Sequence, residues 1–385
     1  MRVAIIHDWL TGMRGGEKVL SLICRMLPGA DLLTLLHVPG SCDRHIEAMR
    51  IRTSFLDDLP GARRYYRHML PLMPLAIERL DATEYDLIVS CSHCVVKGVI
   101  RSPHAAHLCY CFTPMRYAWD CAETYVQQMG GMAGLALRAM RSYLRAWDLR
   151  SAGHVDMFLS NSLTVARRIE RHYGRPARVA YSPIDTSYLT PAGSASPAAR
   201  EDFYLMVSAL SPYKRVDQAI AATAALGRRL KVIGTGPELA KLRPIAGPTV
   251  EFLGWCSDEQ VRDHYRRCRA VLMPGEEDFG LVPLEAMACG APAIAYAAGG
   301  ATETILSADD PAVTNPTGLL YAPGTTAGLT DALRRFETLL PRFRQEDLIA
   351  WSARFGPQQF VDTIADSIRQ VLKSKGLPMV DIANV

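Results

Sequence analysis

The sequence predicts an α/β chain built from two successive doubly wound sheets, and three observations carry that prediction. Short β-branched runs alternate with segments whose apolar residues recur at helical spacing, beginning at the first residues. The alternation pauses at TSYLTPAGSASPAAR, residues 186–200, a stretch rich in proline, serine and alanine that suits an exposed linker, and then restarts. At 385 residues and 49% apolar composition, each half is large enough to bury its own core.

In order along the chain, RVAIIHD reads as a strand, followed by a glycine loop and then by GGEKVLSLICRML as a helix. Further strands are predicted at 31–36, 86–92, 106–111, 156–162 and 178–182, which makes residues 1–183 an N-terminal Rossmann-like domain. A boundary belongs near Asp185. Strands at 203–210, 231–234, 250–254, 270–275 and 291–296 then make residues 184–356 a C-terminal Rossmann-like domain. The segment PQQFVDTIADSIRQVLKS, residues 357–374, is predicted to cross back to the first domain. Ligands of such sheets bind beyond the carboxyl ends of the strands, so two facing domains would enclose a cleft that holds the chemistry. Two helical stretches, 62–80 and 134–150, mix arginine with leucine, methionine, tyrosine and tryptophan. Each reads either as a membrane-surface helix or as a core-packing helix with a solvated basic face.

A net charge of +4 argues against a dedicated nucleic-acid binder and permits attraction to phosphates or to an anionic membrane. The N-terminus reads as a strand rather than a signal peptide, and no run approaches the ~18 apolar residues of a membrane span, so a cytoplasmic location is expected. Ten cysteines, several within apolar runs, read as small buried hydrophobes of a reducing compartment. Cys91, His93, Cys94, Cys109 and Cys111 have the residue types of a zinc site but not its paired spacing, and no nucleophile elbow is present.

Residues 274–305 are the most informative. Glu277 and Glu285 stand eight apart with Phe279 and Gly280 after the first. A loop turning into a helix near Gly280 would aim the amides of Gly280, Leu281 and Val282 at an anion. Glu285, a turn further on, would reach ribose hydroxyls, and Glu277 in the loop would meet the sugar; alternatively, both glutamates serve only the helix dipole. Breaking a sugar–phosphate bond leaves a nucleotide diphosphate of growing negative charge, which a fixed cation and helix N-termini stabilise.

The run EDFGLVPLEAMACGAP, with GGATE, TGLLY, VSALSPYKRVDQAI and GTGPE, resembles the donor-site signature of the family-4 retaining glycosyltransferases, which have the GT-B fold. The resemblance implies a nucleotide-diphosphate-sugar donor. It places Lys214 on the donor phosphates, Glu277 on the transferred sugar, Glu285 on the ribose, the backbone of Phe279, Gly280, Leu281 and Val282 on sugar and diphosphate, and Gly254 near the base. With no Asp-x-Asp pair, Lys214 and the amides would replace a metal ion, and no pyridoxal cofactor is expected. Ala209 stands where relatives often carry arginine, and Arg215 is the candidate to compensate.

In the first half, Gly15 and Gly16 of TGMRGGEKVL resemble the family's G-G-x-E loop beside donor phosphates and acceptor, although glycines also serve as ordinary turn residues. SCSHCVVKGV and YCFTPMRYAWD resemble a bacterial polysaccharide-assembly subset that includes mannosyltransferases extending lipid-linked intermediates. Ser92 and His93 are then candidates to hold donor or acceptor sugar, and Arg116 and Asp120 to reach the acceptor, with Phe112 in place of the relatives' histidine. The resemblance implies GDP-mannose as donor, with a UDP-sugar as runner-up, a glycan or lipid-linked saccharide as acceptor and peripheral membrane association. A phosphorylase or epimerase on the same plan, and a non-catalytic nucleotide-sugar-binding subunit, stand as alternatives.

Overall fold

The computed structural model describes residues 1–383 other than 121, 124, 125, 127–130 and 193–199. Its contacts divide the chain into two units, Met1–Tyr181 with Gln358–Val385, and Ser182–Pro357.

In the first unit, β1 (Val3–His7), β2 (Asp31–Thr34), β3 (Arg50–Thr53), β4 (Leu87–Ser92), β5 (Ala106–Cys111), β6 (Met157–Ser160) and β7 (Ala177–Val179) form one sheet in the order β3-β2-β1-β4-β5-β6-β7. Every pairing is parallel. Strands β1, β4 and β5 are buried along their whole length, as expected of central parallel strands with helices on both faces. Helices Gly15–Met26 and Pro357–Ser374 cover one face, where Ile23, Ile364 and Ile368 meet Ile5, Val89 and Leu108. The segment 62–80 and helix Gly131–Ala152 cover the other, through Leu70, Met73, Ile77, Leu144 and Trp147. Helix Leu163–Tyr173 starts where the Ser162 hydroxyl accepts the Val165 N–H and ends at Gly174 in the left-handed conformation.

In the second unit, β8 (Tyr204–Val207), β9 (Leu230–Ile233), β10 (Val250–Gly254), β11 (Ala270–Met273), β12 (Ala293–Tyr296) and β13 (Gly318–Tyr321) follow the order β10-β9-β8-β11-β12-β13, again all parallel. Helices Val216–Ala225 and Thr326–Leu339 bury Val216, Ile220, Leu333 and Phe336 on one face. Helices Asp258–Arg267, Leu281–Ala288 and Gln345–Ala353 pack together elsewhere in the unit.

The structure corrects several expectations. The stretch 62–80 is not one helix: it divides into Ala62–Tyr65, a 3₁₀ segment Tyr66–Leu72 and Met73–Glu78. Pro71 and Pro74 lack amide donors and crowd the preceding turn, which stops a continuous helix. Residues 186–190 are not a free linker, since Arg262 and Arg266 on helix Asp258–Arg267 donate to the carbonyls of Tyr188 and Thr190 at 3.2 and 2.6 Å. The centre of that segment, 193–199, lies outside the described residues. Strands β3 and β13 were not anticipated.

Burial pushes the Cys24, Cys268 and Cys289 thiols up to about 12, and those of Cys91, Cys94 and Cys111 well above their ordinary value. Among the described residues, no three His, Cys, Asp or Glu side chains gather to hold a metal ion, and no helix is long and apolar enough to cross a membrane.

Candidate active site

In each sheet the chain winds outward from a central pair of strands, β1/β4 in the first unit and β8/β11 in the second. Loops leaving the two strands of such a pair diverge and open a crevice beyond their carboxyl ends. Most of the predicted site residues lie on these loops; Gly254 ends β10, and Arg116 and Asp120 follow β5.

In the second unit the loop after β8 carries Lys214 and the loop after β11 carries Glu277. Pro212 opens a single 3₁₀ turn, Pro212–Lys214, and Arg215 then takes φ 53° before helix Val216–Ala225 begins. That left-handed residue is costly outside glycine, and it turns the chain sharply just after Lys214. Gly275 runs against the same turn: a Cβ there would lie 2.3 Å from the Tyr213 carbonyl oxygen and 2.8 Å from the Lys214 Cα. Only glycine fits, and the two loops are brought together. Lys214 Nζ and Glu277 Oε1 form an ion pair, and each side chain keeps under a fifth of its surface exposed.

The backbone of Glu277 bridges to Gly299, and its carbonyl accepts the Gly300 N–H at 2.8 Å. A Cβ on Gly300 would lie 2.2 Å from the Phe279 Cα, so the glycine pair after β12 allows that chain to pass beneath residues 277–279. Phe279 is buried against Phe355, with ring centroids 5.9 Å apart. Gly280, at φ 98°, then starts helix Leu281–Ala288, so the positive end of the helix dipole lies just beyond Glu277 in the chain. Glu285 projects from the second turn, where its Oε2 accepts the Tyr265 hydroxyl at 2.9 Å. Burial and the Glu285 charge push the Tyr265 phenol well above its ordinary value, so it stays a donor.

The remaining donor-side candidates are placed as follows. Gly254 ends β10 at φ 70°, and its carbonyl accepts the Gly234 N–H at 2.7 Å. Cβ atoms on Gly234 and Gly236 would strike the carbonyl oxygens of Ser208 and Leu210, so the GTG loop lies directly on the V-S-A-L backbone. Arg215, the candidate to compensate for Ala209, stands 3.4 Å from Asp217 on its own helix, a carboxylate that competes for its charge.

In the first unit the loops after β1 and β4 meet through Asp8. Its fully buried carboxylate accepts four successive amides, from His93, Cys94, Val95 and Val96, at 2.8, 2.9, 2.7 and 3.1 Å. His93 Nδ1 lies 3.1 Å from the same carboxylate. The half-buried imidazole stands edge-on to Trp9 at 4.5 Å between ring centroids, with His7 at 5.7 Å and Phe112 at 6.4 Å. Burial holds the His93 pKa below its ordinary value, although Asp8 pulls it upward. Beside this cluster, buried His7 Nε2 lies 3.5 Å from Glu17 Oε1, and Glu17 Oε2 accepts the Arg14 N–H at the start of helix Gly15–Met26. Burial opposes ionisation of Glu17, yet the hydrogen bond and charge of His7, with the charge of His93, hold its carboxyl below the usual range.

Gly15 opens that helix, and a Cβ on Gly16 would touch the Phe112 ring at 3.6 Å, so Phe112 packs beside the glycine loop. Ser92 is buried at the end of β4, and its hydroxyl has no partner among the described residues. Arg116 lies near enough for its charge to depress the His93 pKa. Asp120 is held instead by His172 and Arg168 on helix Leu163–Tyr173, at 3.1 and 3.5 Å, a partner set not shared with His93. The role given to Asp120 in reaching an acceptor therefore competes with a bracing one. His7, Asp8, Glu17 and Tyr265 were not singled out from sequence; the only signal was the polar pair His7–Asp8 ending an otherwise apolar strand.

Residues 194–346 match the family model described as Glycosyl transferases group 1. A GDP-mannose-dependent alpha-(1-6)-phosphatidylinositol dimannoside mannosyltransferase of Mycobacterium tuberculosis is 35% identical over 136 residues, 33% of this chain and 35% of the relative. The chain spans 14%, 43% and 39% of the length of three other curated relatives it matches. Among solved structures, Anabaena HepE in complex with UDP aligns with a TM-score of 0.67 at 17% identity, covering 96% of this chain and 100% of that one. Sucrose-phosphate synthase from Thermosynechococcus elongatus aligns at 0.72 and 16% identity, covering 97% and 100%. The chain thus has the GT-B fold, two parallel-sheet Rossmann-like units, and its second unit carries the sequence pattern of the group 1 glycosyl transferases.

Proposed function

We propose that the chain is a retaining, metal-independent glycosyltransferase that moves a hexose, mannose from GDP-mannose, onto a glycan or lipid-linked saccharide in polysaccharide biosynthesis. The observation that carries this reading is the Lys214–Glu277 pair at the β8/β11 crevice, followed at once by a helix that starts on Gly280.

In this reading the donor diphosphate takes the place of Glu277 beside Lys214. The ammonium group and the first amides of helix Leu281–Ala288 stabilise the charge that grows on the leaving diphosphate, so no metal ion is required. Glu277, released from Lys214, accepts hydroxyls of the transferred sugar, and Glu285, oriented by Tyr265, accepts those of the ribose. The sugar–phosphate bond breaks as the acceptor oxygen attacks, and the acceptor proton leaves with the diphosphate. The named donor of the mycobacterial relative supports GDP-mannose; the UDP bound to HepE supports a UDP-sugar as the second reading.

Transfer from radiolabelled GDP-mannose to a membrane extract, with and without EDTA, tests this. Glu277→Gln is expected to lower turnover about 10²-fold while EDTA leaves the wild type active. Unchanged transfer by the variant would sink the assignment and favour a non-catalytic sugar-nucleotide-binding subunit.

We further propose that the acceptor is met at an anionic membrane surface. Tyr65, Leu72 and Leu75 are exposed beside Arg64, Arg67 and Arg79, whose charges meet no carboxylate among the described residues. Helix Gly131–Ala152 is tied to the same segment where Trp147 and Arg150 contact Glu78, and it adds exposed Tyr143 and Leu149. Apolar and aromatic side chains interleaved with arginine suit the headgroup boundary of a bilayer.

A further inference from the structure

We propose that Arg200 is a positioning residue for the donor diphosphate: its one guanidinium closes the negative ends of two helices whose positive ends lie beyond the carboxyl edge of the second sheet. The identity of the ligand rests on the glycosyltransferase reading; the charge arrangement does not.

Helix Asp258–Arg267 joins β10 to β11 and helix Leu281–Ala288 joins β11 to β12, in a sheet whose strands all run parallel. Each helix therefore starts beyond the carboxyl ends of the strands, the side of Lys214 and Glu277, and runs back to the opposite edge. There Arg200 meets both. Its Nη1 donates to the carbonyls of Tyr265 and Arg266 at 2.8 Å each and lies 3.4 Å from that of Cys268, while Nη2 donates to the Cys289 carbonyl at 3.0 Å. Gly290 leaves the room, since a Cβ there would lie 2.8 Å from Nη2. The two helices also carry Tyr265 and Glu285, so the guanidinium holds in register the pair that is to meet the ribose.

No carboxylate pairs with Arg200 among the described residues, whereas Arg267 at the same helix end is tied to Glu201 and Asp263 at 3.0 and 3.2 Å. Burial opposes the Arg200 charge, yet a guanidinium keeps its proton. A helix end is equivalent to about half an elementary charge, so the two carboxyl-terminal ends together carry about one negative charge, which one arginine balances. The negative poles are thus neutralised inside the unit, and the positive poles act on a ligand unopposed. The eight residues of helix Leu281–Ala288 put Arg200 about 12 Å behind the Gly280 turn. Attraction across roughly 15 Å at an effective dielectric of about 20 corresponds to about fivefold in affinity for each unit of ligand charge. A purely mechanical brace would not grade its effect by charge.

Calorimetric titration of the full chain with GDP, GMP and guanosine tests the proposal. Arg200→Gln keeps a donor and loses the charge; it is expected to weaken GDP about fivefold to thirtyfold, GMP less, and guanosine under twofold, with Arg200→Lys within about threefold of the wild type for GDP. Cys289→Asp, which sets a carboxylate beside the guanidinium and leaves Arg200 in place, is expected to show the same ordering and serves if Arg200→Gln does not fold. Equal losses for GDP and guanosine, or a lysine variant as weak as the glutamine one, would overturn the proposal. If the wild type binds GDP no tighter than guanosine, the diphosphate reading fails, and a reporter histidine, Val282→His, decides the role of Arg200 without a ligand. Its imidazole pKa, followed by NMR, should rise by about half a unit when Arg200→Gln is added, and an unchanged pKa would overturn the proposal.

Discussion

The loop that carries His93 is held from a second side by an ion pair buried in the first unit, and replacing Lys97 by methionine tests how much that support contributes. Lys97 and Asp148 are 1% and 0% exposed. Lys97 Nζ bonds Asp148 and donates to the Cys94 carbonyl at 3.2 Å; Asp148 also accepts Trp119 Nε1 and the Tyr173 hydroxyl, each at 2.7 Å. Burial works against the charge on Lys97, but Asp148 outweighs it and raises the pKa. Lys97→Met is nearly isosteric, so it opens little cavity, and its cost is that of a carboxylate left in the interior with two neutral donors. Removing one partner of a buried pair costs about 3–5 kcal/mol. For a unit of this size each kcal/mol lowers Tm by about 2–4 °C, which gives a fall of roughly 6–20 °C. Differential scanning calorimetry of the whole chain reads it. Adding Asp148→Asn to the methionine variant removes the orphaned charge while keeping an acceptor for Trp119 and Tyr173, and should restore part of the loss. A shift under about 2 °C for Lys97→Met, or a double variant less stable than the sum of the singles, would refute the reasoning.

Two further outcomes are expected. His107 is fully buried beside Ser90, and burial, followed by the charge of Arg101, lowers its pKa to about 3. A folded pKa below the unfolded one means stability is fully present above about pH 6.5 and is lost as pH falls toward 3, at about 1 kcal/mol per pH unit. Urea midpoints at pH 6.5 and 5 should therefore differ, and His107→Asn should flatten the difference; equal slopes for both proteins would contradict the burial account. For the membrane surface, sedimentation with vesicles of phosphatidylglycerol and phosphatidylcholine should pull down the wild type and lose Arg64→Ser/Arg67→Ser/Leu72→Ser/Leu75→Ser, with neutral vesicles binding neither. Equal binding by the variant would remove the proposed face.

The central strands were legible because parallel strands buried on both faces must be apolar runs: AHLCYC was predicted at 106–111 and β5 is Ala106–Cys111. Strand β3, Arg50–Thr53, escaped because an edge strand with two arginines and no buried face leaves no such run. The arginine-rich helix at 134–150 was visible in outline, whereas 62–80 was overextended because apolar spacing was followed through two prolines. In the candidate site, Lys214, Glu277, Gly280 and Glu285 were singled out from sequence, but not the contact between Lys214 and Glu277, which lie 63 residues apart. Asp8 was missed for the same reason. Its partners are the amides of a loop brought near only by the pairing of β1 with β4, and nothing local distinguishes it from an ordinary turn aspartate. Local pattern reports which residues are buried or turning; which polar groups meet is decided by strand order.

In the proposed reaction Lys214 and the Gly280 turn grip a diphosphate. Calorimetric titration of the wild type and of Lys214→Ala with GDP, GMP and guanosine tests it most directly. GDP is expected to bind the wild type tightest and to lose tenfold to a hundredfold in the variant, with guanosine nearly unaffected. GDP binding that is equal in the two proteins, or no stronger than that of guanosine, would contradict it.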